Sequence, residues 1–152
     1  MENRFLFRGK RIDNSEWIQG YLYGIWERRY ILWGMSNDIP NMVEVDPSTI
    51  CQCTGLQDKN GELIWENDIV ELVLGSGEVR YFKVLYKRVI RKVICHPDFD
   101  DDVAKVELNA ICFEWNEYEL FPCIDEYGIS DVRKMEIVGN VFTNPELLEV
   151  QE

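Results

Sequence analysis

The fold of this chain is decided by one stretch, TGLQDKNGELIWENDIV, at residues 54–70. Residues 58–61 form a turn signal, since Gly61 can adopt a left-handed backbone and the asparagine before it tolerates one. An apolar run follows this turn, and a second turn at Asn67 precedes the run 69–74. Short apolar runs between tight turns predict strands joined in hairpins. The residues assigned to these structural turns are Asp58, Asn60, Gly61, Asn67 and Asp68.

The segment before this stretch has the same character. A turn is predicted at residues 13–15, because Asp and Asn side chains bond their own backbone. The aromatic and aliphatic run 30–33 ends at Gly34, and the run 42–45 ends at an Asp-Pro pair. The opening third therefore reads as short strands separated by turns.

The segment after it contains one ambiguous run. Residues 82–93 fit helical spacing, yet they are rich in Val, Ile, Tyr and Phe and follow a Gly-Ser-Gly turn, which favours paired strands. Residues 103–108, 110–120 and 136–142 predict three more strands. Asn144 and Pro145 then predict the start of a short C-terminal helix. The pattern favours a barrel or sandwich over a parallel α/β sheet.

Composition places the chain among globular proteins. It has 152 residues, of which 46% are hydrophobic and 12% aromatic, enough for a sizeable core and too many for a disordered tail. No run of about 18 uncharged apolar residues is present, and the N-terminus lacks a signal-peptide pattern. We therefore expect a cytoplasmic protein. Five cysteines without a secretion signal are expected to be reduced and mostly buried.

The negative charge is concentrated in the last third of the chain. The net charge is −12, and residues 1–50, 51–97 and 98–152 carry −1, +1 and −12. Such a segment repels phosphates and favours a basic partner, although charge runs commonly serve solubility.

Three stretches resemble one family. Residues 55–70 resemble its GLxDKNGxxIxxGDIV signature, residues 7–21 its FRGK…W…GY stretch, and residues 137–148 its VIGNIYENPELL ending. The chain thereby resembles the YopX family of phage and prophage proteins. One departure is Asn67, which stands where the family usually has glycine. Asn is the next best residue for a left-handed turn, so the turn is expected to form.

The resemblance implies a fold class and an origin. The expected fold is mainly β, an SH3-like β-barrel with additional N-terminal strands and a short C-terminal helix. We expect a single YopX-like domain over residues 1–152, with a hairpin region at about 1–50 packed against a barrel region at about 51–150. The resemblance also implies phage or prophage origin, and it supplies no established activity.

A basic strip is the first candidate site. Aromatic residues interleave with its cations, and small barrels bind nucleic acid with such surfaces. The alternative is that the aromatics face the core and the cations pair with carboxylates of the same or another subunit. The strip consists of Lys83, Lys87, Arg88, Arg91 and Lys92.

An acidic segment is the second candidate, as a partner surface or a mimic of DNA. It fails as an EF-hand loop, since Val103 stands at the required glycine and Asn109 at the bidentate glutamate. The alternative is a solvated loop. The segment consists of Asp98, Asp100, Asp101 and Asp102.

Zinc binding and cysteine catalysis are not predicted. Cys51 and Cys53 share one strand face, whereas Cys95 and His96 are adjacent and would point to opposite faces, which is wrong for a zinc site. His96 is the only histidine, and no cysteine has a recognisable nucleophile signature. We expect no metal and no cofactor.

These observations favour a non-enzymatic accessory protein. It is expected to be a protein-binding module that acts on an unidentified host or phage protein and forms a homo-oligomer, with no membrane association. The alternative is a nucleic-acid-binding protein that uses the basic strip, and a variant of the binding hypothesis is an acidic DNA mimic. The third hypothesis is a metal-dependent enzyme.

Overall fold

The computed structural model describes residues 2–94 and 103–149. Eleven strands and one short helix occur in these ranges. The strands are β1 (Leu6–Lys10), β2 (Trp17–Ile25), β3 (Arg28–Ser36), β4 (Ile39–Val45), β5 (Cys51–Gln57), β6 (Leu63–Trp65), β7 (Asp68–Val73), β8 (Val79–Ile94), β9 (Val103–Trp115), β10 (Tyr118–Leu120) and β11 (Glu136–Asn140). The helix is α1 (Glu146–Glu149).

The strands form two antiparallel sheets. The first has the order β4-β3-β2-β1-β5-β6, and the second has the order β10-β9-β8-β7-β11. The chain passes from one sheet to the other at the turn between β6 and β7, where Asn67 has a φ of +67°. The mainly β prediction is confirmed, and Asn67 adopts the left-handed conformation expected of it.

Most turns lie where the sequence places them. The turn at residues 13–15 joins β1 to β2, the Gly-Ser-Gly turn joins β7 to β8, and Gly61 has a φ of +82°. Residues 82–93 lie within strand β8, so the paired-strand interpretation is confirmed. A short helix follows Pro145, as predicted.

Two element predictions are wrong. The run 30–33 was expected to end at Gly34, whereas β3 continues to Ser36, with a shift in its register against β4 at Gly34. The second error concerns β9. Residues 103–108 and 110–120 were expected to be two strands, whereas β9 runs without a break to Trp115 and pairs with β8 along its whole length. Asn109, the polar residue that suggested a break, lies exposed opposite Arg88 in this ladder. The break comes later, at a two-residue turn of Asn116 and Glu117, both with positive φ.

Two clusters of buried side chains hold the sheets. The larger one lies on the inner side of the second sheet and contains Ile64, Val70, Phe82, Val84, Phe113, Val132 and Met135. The smaller one contains Cys51, Cys53 and Trp65, with Leu6, Trp17, Leu63 and Phe142 packed against it. Cys112 is also buried, so three of the four described cysteines lie in the interior as expected, while Cys123 is exposed.

Candidate functional site

An ion pair joins the two sheets. Arg8 of β1 donates from Nη2 to Oδ1 of Asp68, the first residue of β7. The guanidinium carbon of Arg8 lies 4.9 Å from the ring centroid of Trp17 and 5.4 Å from that of Trp65. The hairpin of β1 and β2 and the turn between β6 and β7, which are far apart in sequence, thus meet at one arginine.

Asp68 is the buried partner in this pair. It is 1% exposed, and its Oδ2 accepts a hydrogen bond from the backbone N–H of Trp65 at 2.8 Å. Burial raises the pKa of Asp68 above its ordinary value, because the loss of hydration outweighs the attraction of Arg8. Among the described residues, Nε of Arg8 is buried without a hydrogen-bond partner. The pair therefore carries a large desolvation cost, and either member alone would be destabilising.

The turn at Asn67 holds Asp68 in place. The N–H of Asn67 donates to Val84 O at 2.7 Å, and Asn67 O accepts from the N–H of Val141 at 2.9 Å. Its side-chain amide donates to Sγ of Cys51 at 3.6 Å. One left-handed residue is therefore bonded to β8, to the segment after β11 and to β5, which fixes the entry to β7.

A cleft opens beside the ion pair. Its volume is about 250 Å³. The residues that line it are Arg8, Trp17, Ile18, Gln19, Trp65 and Asn140. Asn140 uses Oδ1 to accept from the N–H groups of Phe142 and Thr143, which leaves its NH₂ group as the donor on that side. The cleft therefore combines two indole rings with amide and guanidinium N–H donors, and it suits an apolar group that carries a hydrogen-bond acceptor.

The described cysteines near this cleft are poor nucleophiles. Cys51 and Cys53 are buried, and burial raises the pKa of each thiol. A thiol held in its neutral form reacts slowly, because the thiolate is the reactive species. Cys95 and His96 lie outside the described residues, and residues 2–94 and 103–149 contain no group of three metal-ligating side chains close enough to share an ion.

The predicted turn of residues 58–61 is anchored by Asp58. This side chain is 2% exposed, and Oδ1 accepts from the backbone N–H groups of Asn60 and Glu62 at 2.8 and 3.0 Å. Its Oδ2 accepts from the N–H of Ile137 in β11 at 3.1 Å. The turn of the signature stretch, between β5 and β6 of the first sheet, is thus bonded to β11 of the second sheet.

A second loop repeats this geometry and was not recognised in the sequence. Asp125 accepts through Oδ1 from the N–H groups of Tyr127 and Ile129, and Gly128 donates to its backbone oxygen. The loops share the pattern Asp-x-x-Gly with a left-handed glycine, and that spacing is the signal that could have identified the second one. Here Oδ2 pairs with the exposed Lys134, so the side chain of Asp125 bonds only to residues that are close to it in sequence.

The basic strip lies on β8, and three of its cations form ion pairs with carboxylates of the same chain. Lys87 pairs with Glu119 and lies 3.5 Å from Glu114, while Arg91 lies 3.4 Å from Glu119. Arg88 pairs with Glu107. Lys83 is directly opposite Glu114 in the ladder, and Lys92 is exposed near the end of the strand opposite Lys105. The acidic segment Asp98, Asp100, Asp101 and Asp102 lies outside the described residues.

The blade formed by β2, β3 and β4 has an uncovered apolar face, which the sequence analysis missed. Register places Tyr21 opposite Leu32, Tyr23 opposite Tyr30 and Leu32 opposite Met42, so these side chains share one face. This outer face consists of Tyr21, Tyr23, Ile25, Tyr30, Leu32, Pro40 and Met42, together with Ile39, which lies at the start of β4 and lines a depression on the same face. The volume of this depression is about 360 Å³. The alternation of the strands was visible in sequence, but which face the rest of the chain covers was not.

The three signature stretches all contribute to the cleft and its anchors. The family described as YopX protein matches residues 6–149. The chain belongs to the YopX family. No curated protein matches this YopX-family chain. Within its described part, no helix is both long and apolar enough to span a bilayer.

Proposed function

We propose that this YopX-family protein is a non-enzymatic protein-binding module of phage or prophage origin that acts on a host or phage protein in the cytoplasm. The observation that carries the proposal is the cleft between Trp17 and Trp65. Tryptophan and arginine are the residues most enriched among the side chains that dominate binding energy at protein interfaces. A cleft built from these residues can accept one anchoring group of a partner protein.

The chemistry of the cleft narrows the kind of group it accepts. Indole rings provide apolar walls, while Arg8, Gln19 and Asn140 line the cleft with N–H donors. A matching segment presents an apolar side chain beside a backbone carbonyl or a carboxylate. We also propose that the fold is a variant of the SH3-like barrel with extra N-terminal strands, which the family resemblance and the short, sharply turned antiparallel strands support.

The test is capture of a partner from host lysate after nuclease treatment. Gln19→Glu places a carboxylate at the mouth of the cleft and should weaken capture at least about tenfold, because it repels an acceptor. Asn109→Glu also replaces a neutral amide by a carboxylate, at an exposed strand position of β9, so this variant should bind like the wild type. Equal capture by the two variants would rule out the cleft as the binding site.

Nucleic-acid binding is the second candidate, and exposure of the strip is the observation in its favour. The side chain of Arg88 is 76% exposed although it pairs with Glu107. A salt-dependent shift of labelled DNA or RNA, abolished by Lys87→Glu together with Arg88→Glu, would support this function. Recovery of nucleic acid alone from lysate, lost at high salt, would reject the protein-binding proposal. A DNA mimic remains a variant proposal, based on the charge of residues 98–152.

A further inference from the structure

We propose that the outer face of the blade binds the outer face of a second copy of this chain, so that the protein is a two-fold symmetric dimer. This surface does not include the residues that line the cleft. The dimer and the function proposed for the cleft are therefore two proposals, and either can fail without the other. The described residues leave the face open along three strands. Five of its side chains are at least 43% exposed: Tyr21, Tyr23, Ile25, Ile39 and Met42.

The area of the face is sufficient for a stable dimer. Large apolar and aromatic side chains present about 150–250 Å² each, so the outer face exposes on the order of 600 Å². Isolated monomers rarely expose a contiguous apolar patch of more than a few hundred Å². Each partner in a standard interface contributes about 800 Å², which the face and its polar rim together approach.

Charge favours a second copy at this surface. Residues 17–45 carry two basic and three acidic groups, a net charge of −1, whereas the whole chain carries −12. Association through surfaces formed by residues 98–152, which carry −12, would bring like charges together. On the outer face Arg28 lies 3.8 Å from Glu44, so both signs are available for a pair related by two-fold symmetry.

The composition of the face is that of an interface. Tyrosine and methionine are enriched where proteins bind each other, and the rings of Tyr23 and Tyr30 lie 6.5 Å apart in its middle. Two antiparallel sheets with apolar faces pack face to face about 10 Å apart. A second blade has the matching shape, since it is the same three-stranded sheet.

Strand addition at the edge of the blade is the less favourable geometry. β4 is the edge strand of its sheet, and Pro40 within it has no N–H to donate to an added strand. The far end of β4 is already occupied, because Glu44 O accepts from the N–H of Ile12 and Val45 bridges to Arg11. The contact between copies is therefore face to face.

Sedimentation equilibrium of the purified protein tests the proposal. The wild type should have the mass of two chains, and Met42→Glu and Tyr23→Glu should each weaken the dimer at least about tenfold. Ile90→Glu is the matched control, because Ile90 is an exposed strand residue outside the face. It should leave the dimer intact. Far-UV circular dichroism establishes that the variants retain the fold.

Three results would overturn the proposal. A wild type with the mass of one chain at all concentrations would exclude the dimer. A dimer that persists in both face variants, or one that Ile90→Glu weakens equally, would place the contact on another surface. Capture of a partner through the cleft is measured separately with Gln19→Glu, so a monomer that still binds its partner would refute only the dimer.

Discussion

Arg8 and Asp68 are the residues at which the two sheets depend on a single charge pair. The two side chains are 16% and 2% exposed, so neither can be hydrated adequately if its partner is removed. Surface ion pairs contribute little to stability, whereas removal of one member of a buried pair is strongly destabilising. The energetic importance of Arg8 therefore comes from the burial of Asp68.

Arg8→Met should lower the free energy of unfolding by about 3–5 kcal/mol at neutral pH, because it leaves a buried carboxylate without a cation. Burial already raises the pKa of Asp68, and loss of Arg8 raises it further. A raised pKa means that stability is present at low pH and is lost as pH rises through the folded-state value. The defect should therefore shrink toward pH 3.8, the ordinary pKa of Asp.

Urea unfolding at neutral and acidic pH measures this effect. The control is Arg11→Met, because Arg11 pairs with Asp13 at an exposed turn and its loss should matter much less. Similar losses in the two variants, or a defect of Arg8→Met that grows at low pH, would contradict the prediction.

The two aspartate loops provide a second comparison at this scale. Asp58→Ala leaves three backbone N–H groups without their acceptor, one of them in β11, and should cost at least about 2 kcal/mol. Asp125→Ala breaks the same local pattern in an exposed loop that lacks the bond to a distant strand. A smaller loss of stability is therefore expected for Asp125→Ala in urea unfolding. Equal losses would show that the bond to Ile137 contributes nothing.

Residue-level features were partly predictable. The left-handed turn at Asn67 follows from local backbone preference, which a sequence carries directly. The pairing of Arg8 with Asp68, 60 residues apart, depends on how two sheets meet, and no local preference encodes that. The sequence therefore identifies the motif residues, whereas only the structure reveals the contacts that those residues make.

At the scale of elements, β2 shows how one residue type permits the blade to form. A Cβ added to Gly20 would lie 2.0 Å from the backbone oxygen of Leu32, a clash that only movement of β3 could relieve. A Cβ at Gly24 would be 3.4 Å from the flexible side chain of Arg29. Two glycines on the same face of one strand thus have very different surroundings.

Gly20→Ala should therefore destabilise the protein by about 1–3 kcal/mol, while Gly24→Ala should change it by less than about 0.5 kcal/mol. Thermal unfolding of the two variants measures the difference. If both behave like the wild type, the close approach of β2 and β3 at Gly20 is not a constraint on the fold.

The ion pairs across β8 and β10 make a prediction about pH. A hydrogen bond from Lys87 lowers the pKa of Glu119, with Arg91 adding to the effect. A lowered pKa means that this stabilisation is complete above the ordinary value of 4.5 and is lost as pH falls through the folded-state value. In an NMR titration Glu119 should titrate below 4.5, and Lys87→Gln should move the midpoint upward.

Lys92→Gln is the control for this titration. Alternation along β8 places Lys92 on the opposite face from Lys87, so its loss should leave the midpoint of Glu119 unchanged. A midpoint that responds equally to both changes would indicate a general effect of net charge.

Element boundaries were predictable where turn residues have strong preferences. Gly61 marks such a turn, whereas the run 30–33 was expected to end at Gly34. Strand β3 instead continues to Ser36, and the hairpin closes at Asn37 and Asp38, which both have positive φ. The turn before β10 uses Glu117 at a φ of +69°, an unusual conformation for that residue, and no local preference indicates it. Asn109 suggested a strand boundary where none exists. In a sequence, a polar residue on the exposed face of a strand resembles a residue of a turn.

The whole molecule is held together by contacts between its sheets. Asn67 bonds to β8 and to the segment before α1, and Asp58 bonds to β11. The rings of Trp17 and Phe142, from opposite ends of the chain, lie 5.7 Å apart. Because these bonds and ring contacts join the two sheets, the described residues are expected to unfold together.

Urea unfolding followed by tryptophan fluorescence and by far-UV circular dichroism should therefore give coincident transitions. Fluorescence reports on five tryptophans, of which Trp17 and Trp65 lie at the junction, and circular dichroism reports on all strands. Two separate midpoints would show that the sheets are independent units.

The class of fold and the family were predictable at this scale, because periodicity and motifs are local. The cleft and the outer face were not, because they arise from which surfaces the packed chain leaves open.

The bond from Ile137 to Asp58 also affects folding during synthesis. The two residues are 79 positions apart, so at about 5–20 residues per second Asp58 leaves the ribosome roughly 4 to 16 seconds before its partner is made. One edge of strand β7 stays unpaired for a similar time, until β11 has been synthesised. Unpaired edges of nascent chains are sites of aggregation. The yield of folded protein should therefore depend on how well that edge is protected until β11 emerges.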